Sequence, residues 1–391
     1  MGTSSVRIAF YVQHLLGIGH LYRARRICDA LIKTGATVSM IAGGMPSRAL
    51  EDASFDVVQL PPVRSGDSGF SGLVDVHGQP IDDTFKNNRR EKLLQAVSAL
   101  RPHVVVTEAF PFGRRQMRFE LNPLIAQISA QPDGQRPALL CSIRDILQEG
   151  RKPERNAETA ELINRYYDAV LVHGDPAISQ LGDTFPEAEK IGVPIHNTGL
   201  VAPTSQITPQ SDQTTKPYDI IVTAGGGAVG RELLMAAAEA AAQGQLPGRS
   251  IALVTGPQAP PELEHELNKQ ANGKAEVMTF IADLPRALSQ CQLSISQAGY
   301  NTVADVLTAG CRAVLVPFAD GGETEQSRRA NALDRAGRAI ALDLTSITSE
   351  TIARAAERAM KSELRPFAAR LDGAERSAAL IVSAAQQARR S

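Results

Sequence analysis

Apolar and polar positions near the start of the chain are arranged in the order strand, loop, helix, strand. Residues 6–13 contain the first apolar run, which predicts a strand. A loop with two glycines follows, and residues 21–34 show the spacing of an amphipathic helix that Gly35 ends. A second apolar run at 37–42 predicts the next strand. This order is typical of a Rossmann-like half-domain.

The same alternation continues through a first domain, which we place at residues 1–203. Strands are predicted at 103–107, 138–143, 169–173 and 190–193, and helices at 89–100 and 157–167. Residues 61–88 are polar, irregular and too long for a simple connection, so we expect a flexible loop there. Residues 204–217 are polar without periodicity and predict a linker.

The alternation restarts in a second domain at residues 217–391. Its predicted strands are 218–223, 250–255, 276–280, 292–296 and 313–317, and its predicted helices include 231–242, 302–310, 325–337 and 373–389. The fold class is therefore α/β, with two Rossmann-like domains.

Composition narrows the class of protein. The chain has 391 residues, 43% of them hydrophobic, with a net charge of −1, as expected for a globular protein without nucleic acid as its main partner. No apolar run approaches a membrane span, and the first residues are too weakly apolar for a signal peptide, so we expect a cytoplasmic protein. The cysteines are far apart in sequence and are expected to be buried reduced thiols: Cys28, Cys141, Cys291 and Cys311.

The region from 291 to 337 carries the most informative pattern. Two predicted strands are each followed by a loop and a helix, and ligands of open α/β sheets bind at such carboxyl ends. The free N–H groups at the start of the first helix favour a phosphate, while Asp305 one turn later and the pair Glu325–Gln326 would flank the same spot. A phosphate beside carboxylates that can bind sugar hydroxyls indicates a nucleotide-sugar site.

A second glycine loop, Gly225–Gly230, fits the dinucleotide pattern G-x-G-x-x-G between a strand and a helix. The dehydrogenase version also needs an acidic residue at the end of the next strand, to bind the ribose. That strand, 250–255, is followed by Gly256 and Pro257 instead. The dinucleotide interpretation therefore fails at its most informative position.

In the first domain, His20 follows Gly17 and Gly19 at the start of a predicted helix. The helix dipole disfavours imidazolium there, so His20 is expected to be neutral and able to act as a general base. The alternative is a histidine that only orients its loop. Glu108 stands at the carboxyl end of the predicted strand 103–107, which makes it a second candidate for a catalytic or acceptor-binding group. Arg144 and Asp145 directly follow the predicted strand 138–143 and are expected either to line the cleft or to pair with each other. A cluster of arginines among phenylalanines could contact an anionic acceptor or a membrane, or form a solvated helix face: Arg114, Arg115 and Arg118.

The stretch AGYNTVADVLTAG followed by VPFADGGETEQSRRANAL resembles the donor-binding region of GT-B glycosyltransferases of family 28, a group that includes the N-acetylglucosaminyltransferase forming lipid II. The resemblance implies two domains facing a cleft, with the last helix packed back on the first domain and residues 61–88 on the acceptor side. It also implies that Asp305 binds the uridine ribose and that Glu325 and Gln326 bind the donor sugar. The full set of donor-binding residues expected from it is Gly225, Gly226, Gly227, Arg231, Phe280, Ile281, Gln297, Gly299, Asn301, Thr302, Asp305, Glu325 and Gln326.

The implied reaction is an inverting transfer from a UDP-sugar to an acceptor hydroxyl, with His20 or Glu108 as the base. No D-x-D motif occurs in the sequence, so neither a metal nor another cofactor is expected. The implied partners are the donor and a sugar or lipid-linked acceptor, with peripheral contact at the inner face of a membrane. The pattern Gly17-x-Gly19-His20-x-x-Arg23 is also similar, more weakly, to a UDP-sugar hydrolase of pseudaminic acid synthesis. An epimerase of the same layout and a non-catalytic nucleotide-sugar-binding protein remain alternatives.

Overall fold

A computed structural model describes residues 5–15, 17–66, 72–132, 134–150, 152–203, 217–226, 229–318 and 324–388. The chain forms two compact units. The first comprises Met1–Asp175, Gln180–Val201 and Asp372–Ser391, and the second comprises Pro176–Ser179 and Ala202–Leu371. The last helix, which the sequence analysis counted with residues 217–391, thus belongs to the first unit, and residues 204–216 of the predicted linker lie outside the described residues.

The first unit is built on a seven-stranded parallel sheet with the strand order β3-β2-β1-β6-β7-β8-β9. Because the chain moves outward from β1 and then returns to its other side, the carboxyl ends of β1 and β6 flank a topological switch point. The strands of the sheet are β1 (Arg7–Val12), β2 (Thr37–Ala42), β3 (Asp56–Gln59), β6 (Val104–Glu108), β7 (Ala138–Arg144), β8 (Ala169–His173) and β9 (Ile195–Asn197). Two further strands, β4 (Arg64–Ser65) and β5 (Leu73–Val74), form a separate antiparallel hairpin.

Helices cover both faces of this sheet. Successive residues of its strands point to opposite faces and are buried on both, so each face needs a covering layer. Ile8, Phe10 and Val12 belong to one apolar cluster, while Ala9 and Tyr11 belong to another on the opposite face. The helices of the unit are α1 (Gly19–Lys33), α2 (Asp83–Leu100), α3 (Arg118–Ser129), α4 (Pro153–Tyr166) and α11 (Gly373–Ala388).

The return of α11 to the first unit confirms the packing expected for the last helix. Its buried residues Ala374, Ala378, Ile381 and Ala385 recur at helical spacing and join the same cluster as residues of α1. Ser377 on the same helix is completely buried, and its Oγ lies 3.3 Å from Nδ1 of a buried histidine at the end of β8. The helix is therefore part of the core of the first unit rather than an appendage.

The second unit repeats the architecture with six parallel strands in the order β12-β11-β10-β13-β14-β15. Its switch point lies between β10 and β13. The strands are β10 (Ile220–Thr223), β11 (Ile251–Val254), β12 (Glu276–Met278), β13 (Leu293–Ser296), β14 (Arg312–Leu315) and β15 (Ile340–Ala341), and the helices are α5 (Arg231–Ala242), α6 (Pro261–Ala271), α7 (Leu284–Gln290), α8 (Tyr300–Ala309), α9 (Glu325–Arg335) and α10 (Ser349–Lys361).

Three predicted elements need correction. The strand predicted at 190–193 is wrong, and β9 begins only at Ile195. The Asn164 side chain donates a hydrogen bond to Lys190 O and accepts one from Gly192 N, each at 2.7 Å. It thereby occupies backbone groups that a neighbouring strand would otherwise pair with. The segment 61–88 contains the β4–β5 hairpin and the start of α2, which Asp82 caps by accepting from Phe85 N at 2.7 Å. Finally, α8 begins at Tyr300 rather than at residue 302.

A buried ion pair between Arg89 and Glu120 ties the first unit together on one side of the sheet. Both side chains are 0% exposed, with Arg89 Nε 2.6 Å from Glu120 Oε2 and Nη2 3.1 Å from Oε1. Arg89 also donates to Gly43 O at 2.9 Å and to Gln13 Oε1 at 2.6 Å, while the Tyr11 hydroxyl donates to Glu120 at 2.6 Å. One network thus joins α2, α3, β1 and the loops after β1 and β2.

Arg89→Met should lower the free energy of unfolding by about 3–5 kcal/mol, because it leaves the Glu120 carboxylate buried without its charge partner. Urea unfolding followed by circular dichroism measures this. Arg90→Met, next to it on α2, is the matched control and should change little. The double variant Arg89→Met/Glu120→Leu should be more stable than Arg89→Met, because it removes both charges. If its loss of unfolding free energy equals the sum of the losses in Arg89→Met and Glu120→Leu, the two residues do not act as a pair.

Candidate active site

His20 is placed by the loop that leaves β1. It is the second residue of α1, and Tyr22 N donates to Ile18 O at 3.1 Å as the helix begins. The first turn of α1 contains no acidic residue, so no carboxylate within that turn offsets the positive end of the helix dipole. The His20 side chain is 24% exposed and can therefore be reached by a ligand.

Glu108 ends β6, the strand next to β1, and its side chain is completely buried. Its Oε1 lies 2.7 Å from His20 Nδ1 and also accepts a hydrogen bond from Arg23 Nη2. Burial by itself raises the pKa of Glu108, but the charges of His20, Arg23 and Arg114 outweigh it and hold the pKa below the ordinary value. The carboxylate is therefore ionised near neutral pH.

This arrangement fixes the proton on His20. His20 Nδ1 has two polar neighbours, Glu108 Oε1 at 2.7 Å and Arg23 Nη2 at 3.1 Å. An ionised carboxylate only accepts hydrogen bonds, so the shorter contact favours a proton on Nδ1 and a lone pair on Nε2. Burial lowers the pKa of His20 to about 4; Glu108 opposes this, and Arg114 and Arg23 reinforce it. The imidazole is neutral near pH 7 and can take a proton at Nε2, while Glu108 stabilises the imidazolium that forms.

His20 and Glu108 line a cavity of about 620 Å³ in the first unit. The predicted Arg144, at the end of β7, lines it as well. Of the two predicted glycines, Gly17 lies in the loop before α1 and Gly19 is the first residue of that helix. The other lining residues come mainly from the segment after β6, with further ones at the end of β7, in the loop after it and on α4. The arginines among them are Arg114, Arg115 and Arg155.

The loop after β6 is held in an unusual conformation. Ala109 and Arg114 have φ values of 64° and 57°, in the left-handed region that costs non-glycine residues about 1–2 kcal/mol each. The Phe110 carbonyl accepts hydrogen bonds from Thr107 Oγ1 at 2.9 Å and from Cys141 Sγ at 3.1 Å, which compensates part of that cost. Such conformations concentrate at ligand-binding sites.

The arginine–phenylalanine stretch does not form an exposed aromatic surface. Phe110 and Phe112 are 0% and 3% exposed, in the apolar core. Arg115 and Arg118 both pair with Glu158 on α4, at 2.9 Å and 2.8 Å.

In the second unit, the loop after β10 carries the predicted glycines. Gly225 has a φ of +68°, and a Cβ built on it would lie 3.6 Å from Thr302 Oγ1, so this loop approaches the start of α8. Gly230 has a φ of +103°, and a Cβ there would come within 2.8 Å of Gln297 Nε2. Glycine is therefore required at this position. Gly226 O accepts from Gln258 N at 3.0 Å, and Gly227 lies outside the described residues.

The loop after β13 and the first turns of α8 hold the next predicted residues. Gln297, Thr302 and Asp305 are 5–8% exposed, and Gly299 immediately precedes α8, in which Asn301 is the second residue. Gln297 Nε2 is buried and, among the described residues, has no hydrogen-bond partner. A buried donor of this kind beside a glycine loop is a feature of a ligand site.

Arg329 on α9, which the sequence analysis missed, secures this region. It is completely buried, donates to Ala298 O at 2.7 Å, and lies 5.6 Å over the Tyr300 ring. It also pairs with the predicted Glu325 at 3.0 Å, so that the charge of Glu325 is compensated. The neighbouring Gln326 accepts from Phe318 N at 3.1 Å through Oε1.

The remaining predicted donor residues have three different surroundings. Arg231 begins α5 and forms an ion pair with Glu266 on α6. Phe280 is 60% exposed, whereas Ile281 is 7% exposed and belongs to an apolar core cluster of the second unit. The structure therefore separates a surface role for Phe280 from a packing role for Ile281.

Within the described ranges, no group of three or more His, Cys, Asp or Glu side chains is arranged to hold a metal ion. The helices of the same ranges include none with the length and apolar character needed to cross a membrane. All four cysteines are free thiols, and all except the half-buried Cys291 are buried.

Comparison with known proteins agrees with this geometry. Residues 220–384 match the glycosyltransferase family 28 C-terminal domain. MurG of Acinetobacter baumannii aligns over 98% of this chain and 95% of its own, with a TM-score of 0.58 and 19% identity. The chain has the GT-B glycosyltransferase fold. A second GT-B structure, a UDP-glucosyltransferase from Polygonum tinctorium, aligns over 100% of this chain and 94% of its own, with a TM-score of 0.63 and 14% identity.

Two enzymes of the same name are similar to this chain at low sequence identity. A UDP-N-acetylglucosamine–N-acetylmuramyl-(pentapeptide) pyrophosphoryl-undecaprenol N-acetylglucosamine transferase of Xanthomonas axonopodis pv. citri is 25% identical, over 94% of this chain and 80% of its own length. The enzyme of the same name from Cupriavidus necator is 28% identical over 50% of this chain, and the match spans about half (54%) of its length. The predicted α/β fold, the resemblance to family 28 and the class of enzyme are confirmed.

In this GT-B protein the sequence analysis singled out both members of the His20–Glu108 pair but not their contact. Arg23 appeared only as part of a motif, and Arg155 was missed. The spacing of His20 and Arg23, one helical turn apart, is the signal that could have placed both side chains on one carboxylate.

NMR titration should find His20 neutral down to a pH of about 4, since burial disfavours its charged form. The signal is assigned by its loss in His20→Gln. Glu108→Gln removes the carboxylate that favours imidazolium, so any remaining titration should move to still lower pH. A His20 signal that titrates near the unperturbed 6.5 would contradict the described environment.

Proposed function

We propose that this chain transfers a sugar from a UDP-sugar to an acceptor hydroxyl, with His20 as the general base. The observation that carries this proposal is the hydrogen bond of 2.7 Å between His20 Nδ1 and the buried Glu108, which leaves Nε2 to take the proton. Glu108 then acts as the group that orients and stabilises the histidine rather than as the base itself. Of the two candidates that the sequence left open, the proposal takes His20 as the base.

The second unit would bind the donor. Two glycine-containing loops approach each other at the switch point between β10 and β13, and α5 and α8 begin directly after them. Backbone N–H groups at these helix starts suit the diphosphate, and the mostly buried Asp305 in α8 suits the ribose hydroxyls. The buried Gln297 amide supports the same assignment, because a donor phosphate or sugar oxygen would supply its missing acceptor.

We infer a reaction without a metal ion, in which the negative charge of the leaving UDP is stabilised by these backbone groups. A single displacement assisted by His20 would invert the anomeric configuration. The curated relatives are named for a pyrophosphoryl-undecaprenol-linked acceptor, and we propose a sugar or lipid-linked acceptor here as well, met at the inner face of a membrane.

His20→Ala should lower kcat/KM for transfer by about 10²–10⁴-fold, the usual contribution of a general base, while donor affinity changes little. The assay incubates a panel of UDP-sugars with and without acceptors, in the presence of EDTA, and follows UDP, free sugar and glycosylated product by mass. Exposed Glu264→Gln on α6 is the control variant. Rapid release of free sugar without acceptor would indicate a hydrolase, interconversion of two sugars an epimerase, and binding without turnover a non-catalytic protein.

Asp305→Asn should weaken binding of the UDP-sugar by about 10–100-fold, because it removes a charged acceptor of ribose hydrogen bonds. Calorimetric titration with uracil, uridine and UDP separates the contributions of ribose and diphosphate. Phe280→Ala should also weaken binding, whereas Ile281→Val should act mainly on stability. Unchanged UDP affinity in Asp305→Asn would contradict the donor assignment.

A further inference from the structure

A second cavity lies in the second unit, away from the predicted donor loops. It is lined by residues at the starts of β14 and β15, at the ends of α9 and α10, and just after α10. The donor loops leave the carboxyl ends of β10 and β13, and the strands of this sheet are parallel, so the cavity lies at the opposite edge of the sheet. Its volume of about 450 Å³ falls in the range of roughly 300–1,000 Å³ that small-molecule sites occupy.

The cavity is rich in arginine. Two of its lining residues, Asp334 and Glu363, carry carboxylates, and Asp334 Oδ1 accepts a hydrogen bond from Ala341 N at 3.2 Å. Five lining residues carry guanidinium groups: Arg312, Arg335, Arg338, Arg358 and Arg365. None of the five forms an ion pair with another residue that the structure describes. The positive charge of the cavity is therefore not neutralised by neighbouring carboxylates.

Arg338 is placed by the end of α9. The helix ends in the two hydrogen bonds of a Schellman motif, in which Gly337 has a φ of 68°. The next residue, Arg338, is 5% exposed and donates to Cys311 O at 2.8 Å and to Val306 O at 3.2 Å. Burial lowers the pKa of Arg338, although Cys311 opposes this. Arg338 thus holds the cavity wall together and adds a charge to it.

The segment after α10 brings Arg365 to the same turn. Arg365 N donates to Gly337 O at 3.4 Å, and a Cβ on Gly337 would lie only 2.9 Å from Arg365 Cδ. Arg335 and Arg358 belong to the last turns of α9 and α10. Cations in a last turn interact favourably with the helix dipole, so the dipoles alone account for these two arginines.

The helix dipoles do not account for Arg312. It is the first residue of β14, where it pairs in register with Leu293, and it lines the cavity. Its Nε is buried and, within the described ranges, has no hydrogen-bond partner. Leaving such a donor without an acceptor costs about 1–3 kcal/mol. A buried donor of this kind, among guanidinium groups without ion pairs, indicates a site for an anion that supplies the acceptor.

We propose that this cavity binds the phosphate group of a small soluble ligand other than the sugar donor, with Arg312, Arg358 and Arg365 as its contacts. Guanidinium groups match phosphate oxygens in planar, bidentate contacts. Several of them around one cavity suit a group that carries close to two negative charges. Because the site lies at the opposite edge of the sheet from the donor loops, its ligand and the donor would bind without excluding each other.

The test follows the Arg312 Nε–Hε signal by NMR while inorganic pyrophosphate is added to the full chain, with the donor site saturated by UDP. The signal is assigned by its loss in Arg312→Lys. It should shift and reach saturation, because the bound anion becomes the acceptor of that proton. No shift, or a shift that grows linearly with pyrophosphate without saturating, would overturn the proposal.

The variant Arg358→Gln/Arg365→Gln removes two charged donors at exposed positions. It should raise the pyrophosphate concentration at half-saturation by at least about tenfold. The control Arg48→Gln/Arg354→Gln removes the same charge from exposed positions outside the cavity and should titrate as the wild type does. Circular dichroism checks folding, and Arg358→Gln with its control Arg354→Gln, one turn earlier on α10, serves if the double variant does not fold. An unchanged half-saturation in the folded variant would overturn the assigned contacts.

Two further arms separate the sources of phosphate. Glucose 6-phosphate should shift the Arg312 signal and glucose should not, so that equal effects of the two would overturn the role of phosphate. Co-sedimentation with vesicles of phosphatidylglycerol in phosphatidylcholine tests a membrane as the source. Vesicle binding that is lost in Arg358→Gln/Arg365→Gln, without a shift of the Arg312 signal by pyrophosphate, would overturn the small-ligand site. Binding at Arg312 is measured without acceptor or turnover, so its outcome is independent of whether the chain transfers a sugar.

Discussion

The buried carboxylate of Glu108 is the constraint on which the first unit's site depends. A carboxylate with no exposed surface is stable only when charges and hydrogen-bond donors compensate for lost hydration. His20 and Arg23, one turn apart on α1, supply these contacts to Oε1, whereas Oε2 has no hydrogen-bond partner among the described residues. The same contact sets the histidine tautomer. In the proposed reaction, compensation of a buried charge and preparation of the base are therefore one structural feature.

The location of this pair follows from the strand order. In both units the chain starts a strand at the centre of the sheet, moves outward, and returns to the other side, so that the carboxyl ends of two central strands carry diverging loops. In the first unit these ends carry His20 and Glu108. In the second they carry the glycine loop after β10 and Gln297. One architecture thus places a histidine–carboxylate pair at the switch point of the first unit and a glycine loop with a buried amide at that of the second.

Much of this could be predicted because it is local. Apolar runs identified β2, β8 and α5 with their observed bounds, and glycines such as Gly310, with a φ of 70°, identified helix ends. Long-range pairings could not be predicted in the same way. The link of Arg89 to Glu120 and that of Arg329 to Ala298 join residues about thirty positions apart, which no periodicity reports. The strand at 190–193 was wrong for the same reason, since a distant Asn164 takes its backbone groups.

A double-mutant cycle between His20→Ala and Glu108→Gln tests the central claim most directly. If the two residues act as one unit, with His20 as the base and Glu108 behind it, kcat/KM for sugar transfer in the double variant should equal that of His20→Ala alone. Donor affinity, measured in parallel, should be the same in all four proteins. Independent, multiplicative losses would contradict the account, because they would mean that Glu108 contributes to the reaction without passing through His20.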